Sequence, residues 1–212
     1  MKNLLKYLVE LFTKIVAFLI HPLFIKSTAF IVTSINTNYI VKQLKICGTN
    51  PKILFPITSH GLKYIAIGAN FYASSRLILE AYDSHLETKY SPEIIIGNNV
   101  RINYDCHIGC VNKVLIGDNV LIASKVFITD HFHGDTSIEA LKFHPNSRKI
   151  LSKGPVIIED NVWIGEGVTI MPNVTIGKNS IIGANSVVTK DVPKYCVVAG
   201  NPAKIIKNLN IN

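Results

Sequence analysis

Charge is scarce in this sequence, and cysteine is scarcer. Only 17% of the 212 residues are Asp, Glu, Lys or Arg, while 48% are hydrophobic. That balance excludes charge-driven disorder and leaves ample apolar surface for a core. The four cysteines, Cys47, Cys106, Cys110 and Cys196, include no Cys-x-x-Cys pair. They are too few for a disulfide framework, so a reducing, cytoplasmic setting is expected. Acid is also short: Lys and Arg number 22 against 14 for Asp and Glu. This excess points to an anionic partner, whether a phosphate-bearing cofactor, nucleic acid or a membrane surface. The length allows one domain or one domain with a small appendage.

A long charge-free apolar run is missing too. From Leu4 to Ile35 the chain is strongly apolar, but Lys6, Glu10 and Lys14 interrupt it and leave Ile15 to Ile25 as the charge-free window. A bilayer span needs about 20 apolar residues, so no crossing helix is expected. Lys2, Lys6, Glu10 and Lys14 recur every fourth residue, and Leu4, Leu5, Leu8, Leu11, Phe12, Ile15 and Phe18 cover the rest of the helix. The reading is an amphipathic helix broken at Pro22, followed by a less regular apolar stretch to about Ile35. Its apolar face would pack on the main domain or a neighbouring subunit, or lie in a membrane interface as a peripheral contact. Glu10 and Lys14 cut the apolar region of any signal peptide, and no small-x-small cleavage site follows.

What is abundant is a period of six. Ile or Val falls at Ile158, Ile164, Ile170, Ile176, Ile182 and Val188, and earlier at Ile96, Ile102, Ile108, Ile116, Ile122 and Ile128. A second series of small or β-branched residues runs through Val162, Val168, Val174, Ser180, Ser186 and Val192. Six is neither the helical period nor simple alternation. It suits a three-sided solenoid of short parallel strands, with the Ile/Val series stacked inside and Gly or Asn at strained turns. Twelve hexads make four coils, and Ile67, Ala73 and Leu79 suggest one more upstream.

Asn161-Val-Trp-Ile-Gly-Glu-Gly-Val-Thr-Ile170, Ile182-Gly-Ala-Asn-Ser-Val-Val-Thr-Lys-Asp-Val-Pro193 and Val198-Ala-Gly-Asn-Pro-Ala-Lys204 resemble the hexapeptide-repeat acyltransferases. The likeness is to the maltose, galactoside and nodulation acetyltransferases and to the O-acetyltransferases of surface polysaccharide clusters, over about residues 60 to 207. It implies an all-β solenoid, a left-handed parallel β-helix that departs from the usual right-handed crossover. It also implies a homotrimer with active sites between neighbouring coils and acetyl-CoA along the groove between adjacent helices. Three segments are expected: an amphipathic helical segment over 1–45, the β-helix over 46–207 with a protruding loop at 129–155, and a tail at 208–212.

The repeat breaks on a large scale between Ile128 and Val156, and His131 and His133 open the break. Long loops thrust from a compact solenoid are usually functional. Acyl transfer to a hydroxyl needs a base near neutral pKa, and imidazole is the side chain matched to it. The resemblance makes His131 the general base, with His133 the alternative, and Asp130 would fix the tautomer. It places Asn103 at the acceptor pocket, with His133 and Asp130 as further substrate contacts. Val111 stands where the family uses an aspartate for its acceptor, which argues against small free sugars. Acetyl-CoA, by the same resemblance, meets Ala123, Trp163, Glu166, Ala184, Thr189, Lys190, Lys204 and Lys207, with the lysines toward phosphate.

The expected activity is acetyl-CoA-dependent O-acetylation of a sugar or polysaccharide acceptor in O-antigen, capsule or related assembly. The alternative is N-acetylation of a nucleotide-linked amino sugar. A carbonic-anhydrase-like zinc enzyme would need three fixed nitrogen ligands, and His107, His131, His133 and His144 do not follow the pattern of the family's zinc-binding members, so no metal is expected. A non-enzymatic solenoid would carry regular Thr-x-Thr or polar rows, which are absent. Nucleic-acid binding is not expected, because the lysines are not interleaved with aromatics.

Overall fold

The structure is a computed structural model and describes residues 2–19 and 22–209. From Ile46 the chain winds into a three-faced prism, a left-handed parallel β-helix. One face stacks Ile46–Cys47, Ile65–Ile67, Glu93–Ile96, Lys113–Ile116, Val156–Ile158 and Thr175–Ile176. The second stacks Lys52–Ile53, Tyr72–Ala73, Arg101–Ile102, Leu121–Ile122, Trp163–Ile164, Ile181–Ile182 and Cys196–Ala199. The third stacks Ile57–His60, Leu77–Ala81, His107–Cys110, Phe127–Thr129, Thr169–Ile170 and Val187–Val188. Pairing puts each inward side chain on its equivalent in the next coil, as in Ile102 on Ile122, Ile122 on Ile164 and Ile164 on Ile182. All four are buried, so one continuous core runs along the axis.

There are six complete coils, one more than the period suggests. The extra coil is the first, where Cys47, Ile53 and Ser59 hold the inward register against Ile67, Ala73 and Leu79. Two of its three inward residues are not Ile or Val, which hides it. At the far end the spacing contracts: Val192 bridges Ile176 and so joins the main inward series, not the second one.

At the strained corners Asn takes most positions of positive φ and Gly167, at φ 70°, takes one, while other glycines serve close approach. Asn99, Asn119, Asn161 and Asn179 hold the left-handed conformation at φ 56 to 60°, where an Asn side chain is tolerated. Their amides form a ladder, Asn70 Nδ2 to Asn99 Oδ1 at 2.9 Å, Asn99 to Asn119 at 3.0 Å and Asn119 to Asn161 at 3.2 Å. Glycines after the isoleucines are needed for close approach. A Cβ on Gly165 would lie 2.7 Å from Ala184 N, and one on Gly117 2.8 Å from Asp160 N.

The N-terminal segment is two helices, α1 (Lys2–Leu19) and α2 (Pro22–Val41). Proline suits the first helical position because it has no N–H to leave unpaired. The stretch expected to be less regular is therefore helical well past Ile35. α2 caps the first coil: Asn36 Nδ2 donates to Ile53 O at 2.8 Å, Ile53 N donates to Thr37 Oγ1 at 3.0 Å, and Ile40 is buried. Among the described residues no helix is long and apolar enough to cross a membrane. At the other end Lys204–Asn208 adds antiparallel to Cys196–Ala199. Of the expected tail, Leu209 N donates to Tyr195 O at 2.7 Å, and residues 210–212 lie outside the described residues.

Two excursions leave the prism. The loop expected at 129–155 is an antiparallel hairpin, His131–His133 against Ile150–Ser152, with a short helix, Ile138–Leu141, in its tip. A smaller hairpin, Ser84–His85 against Thr88–Lys89, leaves the second coil and was not anticipated. Tyr90 Oη donates to Ile150 O at 3.0 Å and His85 Nε2 lies 3.2 Å from Arg148 O, so the two excursions brace each other.

The Asn and Gly roles predict opposite responses to substitution. Gly165→Ala drives a Cβ into the next coil's backbone and is expected to cost about 1–3 kcal/mol. Asn179→Gly keeps a residue that accepts positive φ and is expected to stay within about 1 kcal/mol of the parent. Thermal unfolding of the two variants checks this; equal losses would refute the division.

Candidate active site

The third face ends, in the fourth coil, at Thr129, paired with Gly109 below it. The next residue, Asp130, is fully buried above the tight turn of the third coil. Its carboxylate accepts from Val111 N at 3.0 Å, Asn112 N at 2.7 Å and Lys113 N at 2.8 Å. The Cys110 thiol donates to it at 3.2 Å, and burial followed by the Asp130 charge pushes that thiol's pKa far up. Burial opposes ionisation of Asp130, but the His131 hydrogen bond and the amides of Val111 and Asn112 outweigh it and hold its pKa below the ordinary carboxylate value.

This anchored carboxylate sets the state of His131. His131 Nδ1 lies 2.9 Å from Asp130 Oδ1, and an ionised carboxylate only accepts, so Nδ1 carries the proton. Nε2 is then the basic nitrogen, and it makes no hydrogen bond to any described residue. His131 opens on a cavity of about 460 Å³ whose walls include Glu80, His107, Gly109, Phe127, His133 and Met171. Gly109 keeps the floor open, since a Cβ there would approach His131 Cε1 to 3.3 Å.

Facing His131 is a second imidazole–carboxylate pair, His107 Nε2 to Glu80 Oε2 at 3.2 Å. His107 also lies against Phe127, with ring centroids 5.0 Å apart. Tyr82, stacked on His60, has its pKa pushed up to about 12 by burial first and then by Glu80. His133 stands edge-on to His85 at 5.6 Å, and partial desolvation, then His85 and His131, pulls its pKa below the ordinary imidazole value. It makes no contact with a carboxylate comparable to that of His131. Glu80, Tyr82, His85 and Phe127 are wall residues without a signal in the sequence, and His107 lines the same wall instead of joining a zinc-ligand set. A larger, more apolar cavity of about 670 Å³ lies between the hairpins near Leu86, Phe143 and Leu151, away from His131.

The remaining candidates lie elsewhere. Asn103 sits at the corner between the second and third faces, its N–H donating to Ile122 O at 2.9 Å, and does not line the His131 cavity. Ala123 holds the same place one coil on, followed by Gly165 and Gly183, and Glu166 and Ala184 come one residue later at that corner. Glu166 pairs with Lys125 at 3.1 Å, both side chains exposed, which offsets its charge. Trp163 projects from the second face and is 50% exposed. Thr189, Lys190, Lys204 and Lys207 are exposed, and none of the three lysines makes an ion pair with a described residue. Within one chain, none of the eight lines the His131 cavity.

Residues 155–190 match the family model described as bacterial transferase hexapeptide (six repeats). WbbJ of Escherichia coli K12, described as a candidate lipopolysaccharide biosynthesis O-acetyl transferase, is 39% identical over 161 residues, covering 74% of this chain and 79% of that protein. The chain belongs to the hexapeptide-repeat transferases. It is an acyltransferase by that membership. A galactoside acetyltransferase solved in complex with coenzyme A superposes with TM-score 0.53 at 33% identity, over 82% of this chain and 69% of that one. The N-acyltransferase AntD from Bacillus cereus, solved with dTDP-4-amino-4,6-dideoxyglucose and coenzyme A, has TM-score 0.69 over 82% and 89% of the two chains; at 23% identity it attests the fold.

Because the folded state holds Asp130 below its ordinary pKa of 3.8, its ionised form adds stability that is present above about pH 4 and is lost as pH falls through the folded-state value. Asp130→Asn is expected to cost about 1–3 kcal/mol at pH 7 and to flatten the stability loss between about pH 5 and pH 3. Urea unfolding of parent and variant across that range is the check, and parallel curves would contradict it.

Proposed function

We propose that this transferase is an acetyl-CoA-dependent O-acetyltransferase acting on a sugar hydroxyl in surface polysaccharide assembly. The observation that carries the reading is the buried Asp130 fixing the His131 tautomer, with Nε2 toward a cavity sized for a sugar. The likeness to WbbJ supports the substrate class. Acetyl-CoA supplies the activated acetyl group as a thioester, and the residues proposed to hold it are Ala123, Trp163, Glu166, Ala184, Thr189, Lys190, Lys204 and Lys207. The unpaired lysines and the small side chains at 123 and 184 fit a phosphate-bearing ligand with a slender arm.

In this reading His131 Nε2 takes the proton of the acceptor hydroxyl as its oxygen attacks the thioester carbonyl. The imidazolium, stabilised by Asp130, then returns that proton to the departing thiolate. Transfer is direct, with no acyl-enzyme. Asn103, His133 and Asp130 complete the proposed acceptor side, Asp130 acting through His131. The separation of the cofactor strip from the His131 cavity within one chain supports a homotrimer, in which one protomer's strip would meet the neighbour's base.

His131→Ala is expected to lower kcat by roughly two to four orders of magnitude with little change in acetyl-CoA affinity. A crippling His133→Ala beside a mild His131→Ala would move the base to His133. Assayed on paired hydroxyl and amino sugars, faster acetylation of the amine would favour N-acetylation instead.

Lys190→Ala and Lys207→Ala are each expected to weaken coenzyme A binding more at low salt than at high salt, since exposed phosphate contacts are screened. Calorimetry with coenzyme A and with a thioester lacking the nucleotide separates the cases. Equal losses for both ligands would show that these lysines do not meet phosphate.

A further inference from the structure

The two N-terminal helices leave a large apolar surface that the described chain does not cover. α2 is anchored on one side only. Thr37 and Ile40 are buried on the first coil, whereas Ile31, Val32, Ile35 and Tyr39 on the opposite side are 45 to 64% exposed. α1 is uncovered along its length: Leu4, Leu5, Leu8, Phe12 and Ile15 are 50 to 66% exposed, and Phe18 is 90% exposed. A patch of this extent marks an interaction surface and not ordinary scatter.

Its shape and charge select the partner. With successive residues about 100° apart around a helix, the apolar side chains of α1 cover an arc of roughly 200°, and Lys6, Glu10, Thr13 and Lys14 fill the remainder. A seam with helices of a second copy needs a narrower stripe and would leave apolar flanks in water. A lipid interface wets the whole arc at once and leaves only the charged strip outside. On α1 Lys6 and Lys14 outnumber Glu10, and residues 2 to 41 together hold four lysines and one glutamate, with no aspartate or arginine, so the segment is cationic. Neither helix is long and apolar enough to cross a bilayer.

We infer that the N-terminal helices dock this enzyme on an anionic bilayer surface, with the apolar arc of α1 in the acyl boundary and Lys6 and Lys14 at the headgroups. α2, fixed to the first coil through Ile53, ties the docked helix to the β-helix. Docking rests on the exposed faces alone and does not depend on the proposed reaction. Where that reaction holds, the placement serves a saccharide acceptor carried on lipid by raising its local concentration, with no new acceptor contact.

Flotation of the full-length protein at low salt tests it, with vesicles of phosphatidylcholine alone and of phosphatidylcholine with phosphatidylglycerol. The parent is expected to float with the anionic vesicles. Leu8→Glu combined with Phe12→Glu is expected to lower partitioning at least about tenfold on both compositions. Lys6→Glu combined with Lys14→Glu is expected to lower it at least about tenfold on anionic vesicles and little on neutral ones. Size-exclusion elution of both variants should match the parent. A parent that stays with the soluble fraction overturns the proposal, as do variants that float like it. Leu8→Glu with Phe12→Glu eluting as a smaller species would show that the face is buried between copies and would overturn it too. Flotation needs no assay of acetyl transfer, so failure of docking and failure of the proposed reaction are distinguishable.

Discussion

Every coil must stack its backbone directly on the last, and the remainder of the molecule follows from that requirement. Parallel ladder bonds hold neighbouring coils about 4.8 Å apart, which leaves no room for a poorly fitting inward side chain or for a Cβ at a corner where backbones meet. Isoleucine and valine satisfy the first condition, being stiff at χ1 and broad enough to touch their equivalents above and below. Glycine satisfies the second, at Gly68, Gly97, Gly117, Gly165 and Gly177. Asparagine satisfies a third, carrying the chain through positive φ while its amide continues the ladder along the outer edge.

A perfect prism has flat faces and no concavity, and the cavity beside His131 forms where stacking is interrupted. Both interruptions leave at the same corner, after Ala81 in the second coil and after Thr129 in the fourth, on either side of a coil that turns tightly between Cys110 and Lys113. That tight turn exposes three consecutive amides toward the coil above, and Asp130 accepts from all three. The carboxylate that orients His131 therefore also closes the hydrogen-bond account of the truncated ladder. One residue serves both stacking and orientation, and His131 is positioned by the core and not by a surface loop alone.

The inward architecture was legible because every hexad repeats the same constraint. Ile96 to Val188 could be read as a register, whereas Cys47, Ile53 and Ser59 could not, since the first coil is sealed by α2 and two of its inward positions relax. Outward positions carry no periodic demand. His107 and Phe127 precede Ile108 and Ile128 in successive hexads and look like ordinary surface residues until the hairpins fold over them. Asp130 was visible as a neighbour of His131, but its three amide donors belong to residues 17 to 19 positions earlier and have no sequence signature. Asn103 shows the converse case: a resemblance picks it out in the sequence, yet in a single chain it does not line the His131 cavity.

The His107–Glu80 pair shows how such a corner gains polar groups without disturbing the fold. Both residues occupy outward positions on the third face, in neighbouring coils, and Gly109 beside them keeps the space between His107 and His131 open. An outward side chain can change without altering the inward stack, so the wall facing His131 is free to vary while the Asp130 anchor is not. Val111 stands at the tight turn itself, where its N–H is committed to Asp130 and its side chain is buried. A buried valine there cannot reach a sugar hydroxyl. The polar groups on the opposite wall of this cavity are Glu80, His107 and the hairpin residue His133, and they stand at positions the ladder leaves free.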